Sequence, residues 1–194
     1  MIIKITLSIF SFLFFAIGTP NGTNVDILKL VEKNNQMYIK GSNTPFTGNA
    51  IMKYNDGTKF MITPYVNGYI NGTEYRYYRS GKVEVKAEYV NGKYQGLLIH
   101  YYSNGQMKSS ETYKMDYRYG PSKYWYENGQ LFKEGDYYDC KETGLWHEYF
   151  PNGQLKSVGH YHDADKVGVW KYYNNKGDLI KTENHKVASG LLKY

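Results

Sequence analysis

The chain has 194 residues, the size of one domain, with a formal charge of +6 and a pI near 9.1. Its lysines are scattered singly, which excludes the concentrated basic block of a dedicated nucleic-acid binder, and its one cysteine, Cys140, excludes an intrachain disulfide framework. The 23 Tyr and 20 Gly against only 5 Pro point to short strands joined by tight turns.

The first element is an apolar run, Ile5 to Ile17, preceded by Lys4 and followed by Ala16-Ile17-Gly18, small residues where a signal peptidase reads. It is shorter than the ~20 residues of a spanning helix. Residues 1–18 therefore read as a signal peptide, with an uncleaved membrane anchor as the alternative. No cysteine follows the run, which excludes a lipoprotein-type anchor.

Residues 19–47 form a lead-in segment. Its expected structure is a hairpin turning at Asn34-Asn35, with Met37-Tyr38-Ile39-Lys40 as the second strand; the competing reading is a short helix over Asp26 to Lys33.

From residue 48 to 187 the chain repeats with a period of 24 residues. One glycine series is Gly48, Gly72, Gly96, Gly120, Gly144 and Gly168; a second follows nine residues later as Gly57, Gly81, Gly105, Gly129, Gly153 and Gly177. A fixed period of this length signals a repeat architecture of six units. Counting each first glycine as position 0, positions 8 and 9 read Asp-Gly, Ser-Gly, Asn-Gly three times, then Lys-Gly. Asn-Gly or Asp-Gly between strand-like runs predicts a two-residue type I′ hairpin turn. That register opposes position 6 (Tyr54, Tyr78, Tyr102, Tyr126, Phe150, Asn174) to position 11 (Lys59, Val83, Met107, Leu131, Leu155, Leu179). The strand period of two adds position 17 (Tyr65, Tyr89, Tyr113, Tyr137, Tyr161) and position 2 (Leu98, Trp146, Trp170) to one buried face. The opposite face carries a row at position 5, Tyr77, Tyr101, Trp125, Tyr149 and Tyr173, the candidate binding surface. Links between units fall near Asn67-Gly68 and Asn91-Gly92, then at Met115-Asp116-Tyr117-Arg118, Asp139-Cys140-Lys141-Glu142 and Asp163-Ala164-Asp165-Lys166, and read as turns or short loops. The fold class is all-β: an elongated antiparallel meander of β-hairpins in a single-layer twisted sheet, with residues 188–194 as a C-terminal cap. The first glycines lack an equally firm role; close packing or a bend at each strand start is expected.

The stretch Gly144-Leu145-Trp146-His147-Glu148-Tyr149-Phe150-Pro151-Asn152-Gly153-Gln154-Leu155-Lys156 resembles the MORN repeat, in the bacterial variant often labelled a toxin–antitoxin system antitoxin. The lead-in Met37 to Gly48 also resembles the way such proteins begin their first repeat, and the resemblance extends to about Lys186. It implies an elongated, twisted, single-layer sheet and no catalytic residues. The first two units depart from the pattern by lacking the Trp and the Asn-Gly turn.

A search for chemistry returns little. His160-x-His162 would point two rings to one face, but the equivalent positions in other units hold Pro64, Glu88, Thr112, Asp136 and Asn184, and Val66, Val90, Lys114, Tyr138 and Lys186. No nucleophile elbow, metalloprotease spacing or phosphate loop is present. No catalytic, cofactor or metal site is expected. The expected function is a non-enzymatic exported repeat scaffold that meets an unidentified protein partner or an anionic membrane surface, and not nucleic acid. The alternative is an antitoxin-like neutraliser of a toxin, held in the cell by its N-terminal segment.

Overall fold

A computed structural model describes residues 23–186; the signal-peptide reading and the C-terminal cap lie outside the described residues. The described chain has no α-helix. Its sixteen strands are β1 (Asn24–Asp26), β2 (Leu30–Lys33), β3 (Gln36–Ile39), β4 (Gly48–Lys53), β5 (Lys59–Val66), β6 (Tyr69–Ile70), β7 (Gly72–Tyr77), β8 (Val83–Val90), β9 (Lys93–Tyr101), β10 (Met107–Lys114), β11 (Tyr117–Trp125), β12 (Leu131–Tyr138), β13 (Lys141–Tyr149), β14 (Leu155–His162), β15 (Asp165–Tyr173) and β16 (Leu179–His185). From β4 onward successive strands pair antiparallel, except that the two-residue β6 pairs only with β5 and β5 pairs on to β7, giving one continuous fourteen-stranded sheet that also takes in β1.

The lead-in segment is the hairpin β2–β3, with Asn34 and Asn35 both at positive φ (51° and 60°). The helix reading survives only as a single 3-10 turn over Ile27–Lys29, capped by the Asp26 carboxylate, which accepts from Leu28 N at 2.9 Å. Unforeseen from sequence, β1 pairs parallel with β4 and forms the first edge of the sheet. Val25, Leu30, Phe46, Ala50 and Tyr65 form the core of this end.

The hairpin turns inside the units differ from the expectation. Inside each unit the hairpin turn is not type I′. Gly57 N donates to Tyr54 O at 2.9 Å and Tyr54 N to Thr58 O at 2.8 Å, and of the turn residues only Gly57 has positive φ, 84°. This is a turn followed by a left-handed glycine, the three-residue hairpin loop with a bulge. The pattern recurs at Gly81, Gly105, Gly129, Gly153 and Gly177. The asparagines at position 8 serve through their side chains instead. Asn128 Oδ1 accepts from Gln130 N at 3.0 Å, while its Nδ2 donates to Pro151 O of the next unit's turn at 3.0 Å; Asn104 and Asn152 do the same. The two-residue turns with both residues left-handed lie at the links: Asn67-Gly68, Asn91-Gly92, Met115-Asp116, Asp139-Cys140 and Asp163-Ala164.

The turn bulge has a consequence for the faces. Position 11 opposes position 5, as in Leu131 with Trp125, and not position 6. Beyond the bulge the expected register returns: Trp146 faces Gly159 and Gly144 faces Tyr161. Positions 2 and 17 therefore share the buried face as expected, joined by 13 and 15, while 6 and 11 leave it. Position 6 packs against position 12, with Tyr54–Phe60 and Tyr126–Phe132 ring centroids both 5.0 Å apart.

The first glycines mark a second bulge, between units. Glu134 pairs with His147 but Asp136 with Thr143, so the strand carrying Gly144 has two extra residues there. Gly144 takes this up at φ 68°, a conformation that a side chain resists.

Candidate functional site

The sheet has one layer, so its buried face must be covered by its own side chains. The residue at position 15 of one unit lies beside position 2 of the next. These neighbours are Thr63 with Glu74, Ala87 with Leu98, Glu111 with Ser122, Gly135 with Trp146 and Gly159 with Trp170. Small faces large at each step. Gly135 and Gly159 have ordinary strand φ, yet a Cβ at either would overlap the indole of Trp146 or Trp170. The rings lie on bare backbone and are 1% and 3% exposed. Trp146 Nε1 donates to Thr143 O at 3.1 Å and Trp170 Nε1 to His160 O at 3.0 Å, so neither indole N–H is orphaned.

Tyrosines at position 17 fill the space between the indoles. Tyr137, Trp146, Tyr161 and Trp170 run edge-to-face, with successive centroids 5.2, 6.0 and 4.9 Å apart. Cationic side chains form the outer cover: Arg118 over Tyr137 at 4.3 Å, Lys133 over Trp146 at 4.3 Å and Lys166 over Trp170 at 4.4 Å. Long cationic stems shield apolar rings while keeping their charge in water. Burial pushes the Tyr65, Tyr89, Tyr113, Tyr124, Tyr137 and Tyr161 hydroxyls above their ordinary pKa. Burial also holds His100, on this face, below the usual histidine value.

The structure places the candidate binding row on the other face. Tyr77, Tyr101, Trp125, Tyr149 and Tyr173 are all half-buried. Their backbone is fixed from the preceding unit: the hydroxyls of Tyr54, Tyr78, Tyr102 and Tyr126 donate to the carbonyls of Tyr77, Tyr101, Trp125 and Tyr149 at 2.8, 2.7, 2.8 and 2.8 Å. Phe150 lacks the hydroxyl that would reach Tyr173. Some rings have neighbours at position 3, Tyr75 stacking on Tyr77 at 6.3 Å and His147 on Tyr149 at 6.2 Å. Between rows lie polar groups. Tyr149 Oη donates to Glu134 Oε1 at 3.2 Å, and Lys123 Nζ lies 2.9 Å from Glu134 Oε2. The Lys123 hydrogen bond, ahead of its charge and the Tyr149 hydroxyl, holds the Glu134 carboxyl below the usual range. Exposed Leu97, Leu145 and Val169 at position 1 add apolar patches to this face.

Elsewhere the geometry offers little chemistry. His160 and His162 line an open groove of about 340 Å³ with Tyr161 and Gly168. Among the described residues no group of three His, Cys, Asp or Glu side chains is placed to hold a metal ion. Cys140 is exposed in its link turn, where its Sγ accepts from Arg118 N at 3.3 Å.

Sequence reasoning missed Gly135 and Gly159, and the reach of the position-6 hydroxyls. Signals for both were present. Each of these glycines precedes a tryptophan by eleven residues and belongs to neither glycine series. Position 6 holds Tyr rather than Phe in four of its five aromatic instances.

The protein-family profile described as the MORN repeat variant matches residues 70–91, 94–115, 118–139 and 142–163. Each match begins at a link and ends at the next, so it spans one hairpin turn and one first-series glycine from neighbouring strands. No curated protein matches the chain. Residues 70–163 thus carry four matched MORN-variant repeats, set in one sheet of hairpins.

Proposed function

We propose that this protein is a non-enzymatic, exported scaffold whose aromatic face receives a protein partner. MORN repeats are in general scaffolds for protein or membrane interaction. The observation that carries the reading is the row Tyr77, Tyr101, Trp125, Tyr149 and Tyr173, opposite the core, with its first four members pinned through their carbonyls. Rigid amphipathic rings bind with little loss of side-chain freedom, and repeats present such groups as a continuous surface. The apolar start, Ile5 to Ile17 behind Lys4, supports export.

Two experiments test this. N-terminal sequencing of the chain from fractionated cells should give a mature start near residue 19 outside the cytoplasm. An intact start on a chain retained in the cell by that segment would favour the antitoxin-like reading. In-cell cross-linking should then yield a discrete adduct with the natural chain and lose it in a Tyr101→Ala, Trp125→Ala, Tyr149→Ala variant of unchanged fold. An adduct that survives the triple substitution would reject this face as the site.

A further inference from the structure

The two ends of the sheet differ. The first edge is the three-residue β1, too short to template a long partner and backed by the core of Val25, Leu30 and Phe46. At the other end, among the described residues, no strand pairs with the outer edge of β16. Leu179 and Ile180 on that strand are 54% and 64% exposed. Inside the sheet the equivalent strands β8, β10, β12 and β14 each pair with a following strand along this same edge. An open strand edge is a template for another strand.

The sequence of β16, Leu179-Ile180-Lys181-Thr182-Glu183-Asn184-His185, restricts what can pair with it. In a two-fold antiparallel pair of β16 strands, centring on Lys181 sets lysine against lysine, and centring on Glu183 sets glutamate against glutamate. Like charges directly opposite destabilise a strand pair. Centring on Thr182 sets Lys181 of each strand opposite Glu183 of the other, Thr182 opposite Thr182, and Ile180 opposite Asn184. Side chains on the buried face then remain on one side of the joined sheet, because directly opposed residues share a face. Lys181 Nζ already lies 2.6 Å from Glu183 Oε1 within the strand, so the pairing would build a ring of four alternating charges. Thr–Thr and opposite-charge cross-strand pairs are the favourable kinds.

We propose that a second copy of this chain pairs with β16 antiparallel about Thr182, joining two sheets end to end into a homodimer. This goes beyond the aromatic-face reading and stands apart from it, because β16 lies at the sheet's end.

The test is sedimentation equilibrium of the mature chain up to about 1 mM, since a contact along one strand is small. The expected result is a reversible monomer–dimer equilibrium. Lys181→Glu alone and Glu183→Lys alone should each weaken it by about ten-fold or more, by setting like charges opposite. An equimolar mixture of the two variants should recover dimer, because each glutamate of one then faces a lysine of the other. Recovery on mixing cannot arise from the ion pair within one strand, which neither variant retains. A chain that stays monomeric throughout, or a dimer indifferent to both reversals, overturns the proposal. So does a dimer that forms only after residues 187–194 are removed, since that segment would then be the occupant of the edge.

Discussion

The early and late units solve one packing problem with different chemistry. Late in the chain, Trp146 and Trp170 lie on Gly135 and Gly159, and tyrosines and cationic stems cover the indoles. Early in the chain, the same positions hold a polar pair: Thr63 Oγ1 donates to Glu74 Oε2 at 2.9 Å, and Arg76 Nη2 lies 3.1 Å from Glu74 Oε1. Glu74 is 4% exposed, and both its oxygens have partners. Ala87 with Leu98 is intermediate. The lesson is that a single-layer repeat sets a small residue beside a large one at two neighbouring positions and leaves their polarity free. Close packing tolerates redistribution of volume better than its loss or gain.

The largest way to break this comparison is to empty the late version. Trp146→Ala should destabilise by ~3–5 kcal/mol, the range for aromatic core truncation. Leu98→Ala, at the same position but only partly buried, should lose clearly less. Urea unfolding curves for the pair check it, and equal losses would mean that the two regions do not differ.

Next comes the polar version. Glu74→Ala leaves the buried Thr63 hydroxyl without its acceptor and should lose about 1–3 kcal/mol. Glu74→Leu combined with Thr63→Ala, which copies the Ala87–Leu98 pair, should recover most of that loss, because replacing both buried partners by apolar groups is close to neutral. Thermal melts of the single and double variants decide it.

The link turns carry a smaller effect. Asn-Gly occupies the first two links, but Met115-Asp116, Asp139-Cys140 and Asp163-Ala164 hold left-handed φ with side chains present. Ala164 has φ 71°, so Ala164→Gly should stabilise by about 0.5–1 kcal/mol after glycine's greater freedom in the unfolded chain is counted. A lowered melting point would show that the turn gains something from its methyl group.

The smallest effect is a pH dependence confined to the last strands. The Lys181 hydrogen bond, then those from Tyr172 and His185, hold the half-buried Glu183 carboxyl down at about 2. Its folded value lies below the unfolded one, so its contribution is complete above the ordinary glutamate range and is lost as pH falls from there toward 2. Amide protection in β15 and β16, measured relative to the intrinsic exchange rate at each pH, should fall over that window in the natural chain and not in Glu183→Gln.

Much of this was legible from the period alone. The 24-residue spacing gave the hairpins, the strand order, the links and the body register, because turn residues and alternation are local signals. The turn type was not, because Asn-Gly satisfies two different hairpin loops and only the side-chain bridge from Asn128 to Pro151 in the next unit distinguishes them. That error moved positions 6 and 11 to the wrong face. The glycines under the indoles also escaped, since their neighbours lie eleven residues away across a link. Of the candidate site, sequence placed the row at position 5 on the face away from the core. It was silent on the hydroxyls that hold that row, which act at a separation of 23 residues.

The central claim, that neighbouring positions pack as a small–large pair, is tested most directly by a double-mutant cycle at Gly159 and Trp170. Gly159→Ala alone drives a methyl group into the indole and should destabilise by ~1–3 kcal/mol. Trp170→Leu alone should leave a gap over bare backbone. Together they recreate the Ala87–Leu98 arrangement, and the double variant should be more stable than the sum of the singles by at least about 1 kcal/mol, within the range for coupled neighbours. Additive losses, with no coupling between two side chains in direct contact, would contradict the account.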